Sequence, residues 1–410
     1  MLSTLFREKV SKLKDYRMKA ETEFDVGYST GFLNFDFKNG TVIHVKTEDK
    51  DFKYYSVGIT DGSMVMVIGR SGSGKTTFIL QAAANIIRPF KTSCIFFDEI
   101  EAGATTARKE MLTKFYGDEF KRRIISRNSG VTAENFYERI KMIYDLKMEN
   151  RSDYEYDTGL YDTSGNRIYK LEPTVYMLDS LALLMPASYT DEEELSGQMA
   201  ATATAKANAA IFKRIIPMLK AANIILFVIN HILEEVNINP MQRTKSQVSY
   251  LKQGEKLPGG KTPIYLCNTM IRFDDNSKLK ESEAFGIDGS LVDLGLVKSR
   301  TSKAGKSATL VFDQANGYDP ELSLFVLLKE NNRIGGAGAY LYIGNHSEIK
   351  FAQRNFKQKL RENPELQKIF MEEVMDVLKG SLIAEEREEY QQNNFDISNM
   401  IMNNINNMIV

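Results

Sequence analysis

Long apolar runs are missing from this chain. Nowhere do apolar residues approach the roughly eighteen that a membrane-spanning helix needs. The first residues, MLSTLFREKVSKLKDYRMK, lack the apolar centre of a signal peptide, so the chain is expected in the cytoplasm, with no membrane partner. Cysteine is scarce. Cys94 and Cys267 both sit in apolar runs and read as buried thiols of a reducing compartment rather than a disulfide. An excess of one charge is also missing: 53 Lys and Arg stand against 54 Asp and Glu. Any attraction to a polyanion must therefore come from a local patch. What is present is bulk. At 410 residues and 43% hydrophobic content the chain supports a sizeable core, as one large domain with additions or as two domains.

The most informative stretch is MVMVIGRSGSGKTTFIL, residues 64–80. Met64 to Ile68 are apolar and suit a buried strand. Phe78, Ile79, Ala82, Ala83, Ile86 and Ile87 then repeat at helical spacing until Pro89. Between them GRSGSGKT matches G-x-x-x-x-G-K-[ST], and strand, glycine turn and helix together make a P-loop. Gly69, Gly72 and Gly74 allow positive φ and let the backbone approach an anion closely. The N–H groups of Arg70, Ser71, Ser73 and Thr77 and the helix N-terminus would then face phosphate oxygens. Lys75 would reach the β- and γ-phosphates, and Thr76 would hold Mg²⁺.

Other segments read as strands that end in polar residues. SCIFFDEIEAG ends in Asp98, Glu99 and Glu101, and an acid at a strand end can polarise the water that attacks a γ-phosphate. TVYMLDS ends in Asp179 and Ser180, which fits a Walker B acid near Mg²⁺. NIILFVINH ends in His231, placed to sense a γ-phosphate. From Met241 to Lys261 five cations (Arg243, Lys245, Lys252, Lys256, Lys261) face one acid, Glu255, before Gly259 and Gly260. That balance suits a phosphate backbone. KSRTSKAGKS carries Lys298, Arg300, Lys303 and Lys306 with no acid: an exposed turn, or cations that reach another subunit's nucleotide.

The remaining expectations are organisational. Residues 1–23 form an arm, either a surface helix or a segment that docks on a neighbouring subunit. A core spans 24–345, with a short helix or turn at 29–40 and inserted hairpins near 41–57 and 149–172. The tyrosines of the second hairpin suit an exposed hairpin or base stacking. Strands are expected near 264–273, 291–298, 308–313 and 322–328. Residues 346–390 are helical, and the Asn-rich 391–410 are disordered or a partner-binding helix.

The ordered set GRSGSGKTT, IFFDEIEAG, VYMLDS, FVINH, LPGGKTPIYLCNT and LVKSRTSKAGKS, over roughly 24–345, resembles the RecA family, and within it phage recombinases of the UvsX type. The resemblance implies an α/β fold: a RecA-like P-loop ATPase core with a largely parallel twisted central sheet flanked by helices, plus a small N-terminal arm and a helical C-terminal region. It implies a DNA-dependent ATPase that uses ATP and Mg²⁺. Such a protein assembles as a helical filament on single-stranded DNA, pairs it with homologous duplex DNA, and works with single-strand-binding and mediator proteins. Position by position it makes Lys75 and Thr76 phosphate and Mg²⁺ ligands, Asp179 the Walker B acid, and Glu101 the catalytic acid with Glu99 as the alternative. It makes His231 the link to the DNA loop, and Lys298 and Arg300 residues that act in trans. The DNA loops would fall within 185–198 and 233–260, the second including Arg243, Lys245, Lys252, Lys256, Gly259 and Gly260. Two features depart from the family: Ile100 stands where the family has its acid, and Asp191 to Glu194 make the first loop acidic. A hexameric helicase on the same core and a P-loop regulatory protein without DNA activity are the rivals.

Overall fold

The computed structural model describes residues 25–46, 51–101, 110, 117–161, 165–189, 197–234, 251–276 and 284–382. The arm, the Asn-rich tail, Arg243, Lys245 and Asp191 to Glu194 lie outside them.

Nine strands form the central sheet: β1 (Met64–Gly69), β2 (Ile95–Glu99), β3 (Ile124–Arg127), β4 (Thr174–Asp179), β5 (Ile224–His231), β6 (Thr269–Asn276), β7 (Gly289–Ser299), β8 (Ser307–Asp313) and β9 (Gly317–Asp319). Their spatial order is β9-β8-β7-β6-β1-β5-β4-β2-β3. The run from β6 through β1, β5, β4 and β2 to β3 is parallel; β6 to β9 continue it antiparallel. The fold is α/β, with a largely parallel sheet and helices on its faces.

The parallel strands read as unbroken apolar runs because both of their faces are covered. In β1, Val65 and Val67 join one core layer, whereas Met64, Met66 and Ile68 join the other. Helix α1 (Lys75–Ile87) covers the first face. Helices α2 (Ala133–Glu149) and α3 (Gly197–Ala222) cover the second, with Phe136 and Phe212 in contact, ring centroids 5.9 Å apart. α1 is itself roofed by the short helix Leu33–Lys38. Phe78 stacks on Phe32 at 5.3 Å and meets Phe35 edge-on. This double burial fixes the axis of α1, and with it the direction in which its N-terminus points.

One expected strand, and the start of another, belong to helices. Residues 264–266 end a helix, α4 (Lys261–Leu266), and β6 starts only at Thr269. Pro263 falls in the first turn of α4, where its missing N–H leaves no intrahelical bond unmade. Residues 322–328 lie within α5 (Pro320–Glu330). Asp319 caps α5 by accepting from the Leu322 N–H at 3.0 Å, and Pro320 occupies its first position. The run reads as apolar throughout because α5 is buried nearly all round, against β8 and the C-terminal helices α6 (Phe356–Glu362) and α7 (Pro364–Ser381).

The insertions at Thr41–Lys46/Asp51–Ser56 and Glu155–Tyr161/Arg167–Leu171 are antiparallel hairpins. They touch each other: the Tyr161 N–H donates to the Tyr54 hydroxyl at 3.2 Å. Tyr156 packs edge-on against Phe90, and Arg167 lies over the Tyr161 ring, so these two rings serve packing. Both cysteines are free thiols, with Cys267 buried and Cys94 only half-buried. Among the described residues no helix is long and apolar enough to cross a membrane.

Candidate functional site

The sheet brings the carboxyl ends of its central strands level. Gly69 of β1 pairs with His231 of β5 and with Phe273 of β6, and Asp179 of β4 pairs with Glu99 of β2. Three polar strand ends far apart in sequence, Glu99, Asp179 and His231, thus share one edge with the end of β1, where open α/β sheets bind their ligands.

The P-loop joins β1 to α1. Gly72 and Gly74 have φ of 77° and 81°, the left-handed region that glycine enters without penalty. Gly74 is the N-cap of α1, and a Cβ there would lie 2.4 Å from the Tyr318 hydroxyl oxygen. Gly69 does not take a positive φ. Its constraint is space, since a Cβ would meet Phe273 and the Ser73 hydroxyl at 3.0 Å. Lys75 is buried and folds over the loop, its Nζ donating to the carbonyls of Arg70 at 2.6 Å and Gly69 at 3.1 Å. Burial pulls its ammonium down to about 8, while Asp179 and Glu101 pull the other way. The Thr77 hydroxyl is buried with no partner among the described residues. The guanidinium of Arg70 pairs with Glu234, and Ser71 is exposed beside it.

Asp179 accepts from the Thr76 hydroxyl at 2.8 Å. Burial raises its carboxyl to about 6, with Glu101 adding to the rise and Thr76 opposing it. A buried carboxylate beside a hydroxyl at the start of a P-loop helix is an all-oxygen donor set for a hard divalent cation. Residues and group therefore fit: Thr76 and Asp179 would hold Mg²⁺.

Glu101 follows β2 and turns back over β4, because the Ile100 N–H donates to the Asp179 carbonyl at 2.6 Å. Its Oε1 accepts from the Ser180 hydroxyl at 2.7 Å and lies 2.7 Å from His231 Nε2. Ligand atoms of Glu101, Asp179 and His231 all fall within 4.8 Å of one another. The other two acids differ. Asp98 is buried and bonded by Arg139 and by the Tyr176 hydroxyl, and Glu99 is buried within the strand. Of the three, Glu101 is the one the chain brings to His231.

No known protein family and no curated protein matches the chain. Among solved structures it is similar to the crystal structure of the RadB recombinase. That match has 18% identity and a TM-score of 0.39, covering 64% of this chain and 92% of that one.

Lys298 and Arg300 lie elsewhere. Lys298 pairs with Met270 and Ser299 with Thr269, which in turn pair with Met66 and Val65, at the opposite end of β1 from Gly69. There the Lys298 Nζ donates to the carbonyls of Ile264 at 3.0 Å and Tyr265 at 2.8 Å, and Arg300 donates to Tyr265 at 2.9 Å. Both cations serve the C-terminal end of α4, where carbonyls lack helical partners.

Of the basic segment, Lys252 and Lys256 are described and exposed. Gly259 and Gly260 have φ of 87° and 90° and press against Leu181 and Ala205, where a Cβ would come to 2.7 and 3.1 Å. Asn230 donates to the Pro258 carbonyl at 2.9 Å, so β5 holds this end of the segment directly.

Sequence reasoning missed Tyr318 and the pair Glu255–Arg272. Tyr318 sits beneath the P-loop and gives no local signal. The pair leaves two traces: the single acid in a basic segment, and one cation inside the apolar run of β6. Arg272 grips Glu255 with two bonds, at 2.7 and 2.8 Å.

Proposed function

We propose that the protein is an ATP-dependent DNA recombinase of the RecA type, similar to the phage UvsX-type strand-exchange proteins. It would form a helical filament on single-stranded DNA and pair it with homologous duplex. The observation that carries this reading is the level strand edge. There a P-loop, a buried acid and a Glu–His pair meet directly before a segment rich in cations.

The loop N–H groups and Lys75 bind the triphosphate. Lys75 has only carbonyls and a hydroxyl as partners to leave, and phosphate oxygens are stronger acceptors. Thr76 and Asp179 would hold Mg²⁺, which would supply charge neutralisation to the bound phosphates. Glu101 takes the proton of the attacking water. Ser180 and His231 orient its carboxylate, and because Glu101 is an acceptor the proton of that contact belongs to His231 Nε2. His231 thereby reports on the γ-phosphate to the chain that follows it. Lys252, Lys256 and the N–H groups around Gly259 and Gly260 face the DNA backbone, together with Arg243 and Lys245. Lys298 and Arg300, at the far end of the sheet, would leave the carbonyls of α4 to complete a neighbour's site in the filament.

Imaging tests the reading. With ATP, Mg²⁺ and single-stranded DNA the protein should form extended helical filaments. Closed rings would favour a helicase, and unassembled particles would contradict the recombinase reading.

A further inference from the structure

Just after His231 the chain forms a two-residue strand, Leu233–Glu234, paired antiparallel with Glu255–Lys256. In this register Glu234 stands directly opposite Glu255. Like charges directly opposite on an antiparallel pair repel, so the ribbon is destabilised by its own sequence. Two arginines offset this. Arg272 holds Glu255 in a two-bond fork with both side chains buried, 8% and 7% exposed. Arg70 pairs with Glu234 in the open, with 75% and 64% exposure.

Both arginines adjoin the P-loop. Arg70 is the residue after Gly69 in the P-loop turn, and Arg272 pairs with Ile68 of β1 across the β6–β1 ladder. A cavity of about 740 Å³ lies among Arg70, Ser73, Lys252, Glu255 and Arg272. The ribbon is therefore tied to the P-loop by charge across a polar space. The two ties differ in strength: a buried bidentate fork is lasting, whereas an exposed ion pair is weak and exchanges readily.

We propose that Glu234 is a positioning residue that couples the P-loop to this ribbon. When phosphate enters the loop, its oxygens take the Arg70 guanidinium from Glu234. Glu234 then faces Glu255 without its counter-cation, and the ribbon loosens about the Arg272–Glu255 fork. This rests on the proposed binding of a nucleoside triphosphate at the P-loop, but not on recombination. Linkage requires the reverse effect as well: Glu234 competes with phosphate for Arg70, so its loss must tighten nucleotide binding.

Amide deuterium exchange on the full chain, with and without Mg²⁺ and a non-hydrolysable ATP analogue, reads the ribbon. Displacement of a fluorescent ADP reads affinity separately. In the wild-type chain the analogue should speed exchange at residues 233–234 and 255–256. In Glu234→Gln that response should vanish, and the analogue should bind about fivefold tighter, the low end of ordinary coupling between sites. A purely structural role for Glu234 would not tighten binding. Bound analogue with unchanged exchange in the wild type, or equal or weaker binding by Glu234→Gln, overturns the coupling alone. Failure of the wild type to bind any nucleotide overturns the P-loop reading and the coupling with it.

Discussion

In the proposed function Lys75 and Glu101 meet the two chemical demands at the strand edge, anion binding and proton removal. Lys75→Ala deletes a buried cation whose partners are only carbonyls and a hydroxyl. ATP hydrolysis should fall by about 10²–10³-fold, the usual loss for one preorganised charge-stabilising donor, while the thermal midpoint stays close to wild type; retained turnover would place the chemistry elsewhere. Glu101→Gln should slow hydrolysis by at least about 10²-fold, the scale of a lost general base, and leave nucleotide affinity in place. If Glu99→Gln produces that pattern and Glu101→Gln does not, the catalytic acid is Glu99. The identities of most of these residues are legible in the sequence, because strand-end polar residues after apolar runs announce themselves. The reasons are less so. Gly69 looks like Gly72 and Gly74 in the motif, yet it is required by the proximity of Phe273 on β6, a contact between strands some 200 residues apart (residues 69 and 273). Tyr318 under Gly74 is hidden for the same reason.

Elements are pinned by single side chains. The buried Lys147 of α2 donates to the Glu172 carbonyl at 2.6 Å and the Thr174 hydroxyl at 3.1 Å, fixing the helix to the start of β4. Burial lowers its ammonium from 10.5 to about 7. Between these two values the unfolded chain binds the proton more tightly, so folding stability rises with pH from about 7 upward and is lost as pH falls back through 7. The slope for one proton is at most about 1.4 kcal/mol per pH unit. Denaturant titrations at pH 7 and pH 9 should show this rise in the wild type and a smaller one in Lys147→Met; equal rises would refute the assignment. At the other edge of the sheet Asp319 caps α5 and also accepts from Lys357 of α6 at 2.5 Å. Asp319→Ala should cost about 1–2 kcal/mol in the same assay, and Asp319→Asn should recover the capping share; an unchanged midpoint for the Ala variant would contradict both roles. The sequence Asp-Pro-Glu-Leu holds the start signal for α5, but its apolar run imitates a strand because tertiary burial removes the polar face a surface helix would show. The parallel strands are legible for the converse reason: burial on both faces leaves them as plain apolar runs.

At the scale of the molecule, the P-loop lies at one end of β1 and Lys298 and Arg300 lie at the other, where they bond the C-terminal carbonyls of α4. In the proposed filament these cations would complete another chain's site, so activity should depend on assembly. α4 begins directly after Gly260 and so joins the end of the basic segment to these cations. That segment is visible in the sequence as an excess of charge, whereas its fastening by Asn230, Arg70 and Arg272 emerges only when β1, β5 and β6 lie side by side. The central claim is that nucleotide chemistry at the strand edge answers to single-stranded DNA. ATP hydrolysis measured with and without a long unstructured single strand, at low and moderate salt, tests it most directly. The rate should rise at least about fivefold with DNA, the rise should shrink as salt displaces backbone contacts, and Arg300→Ala should reduce the DNA-stimulated rate. A rate that is the same with and without DNA would contradict the account.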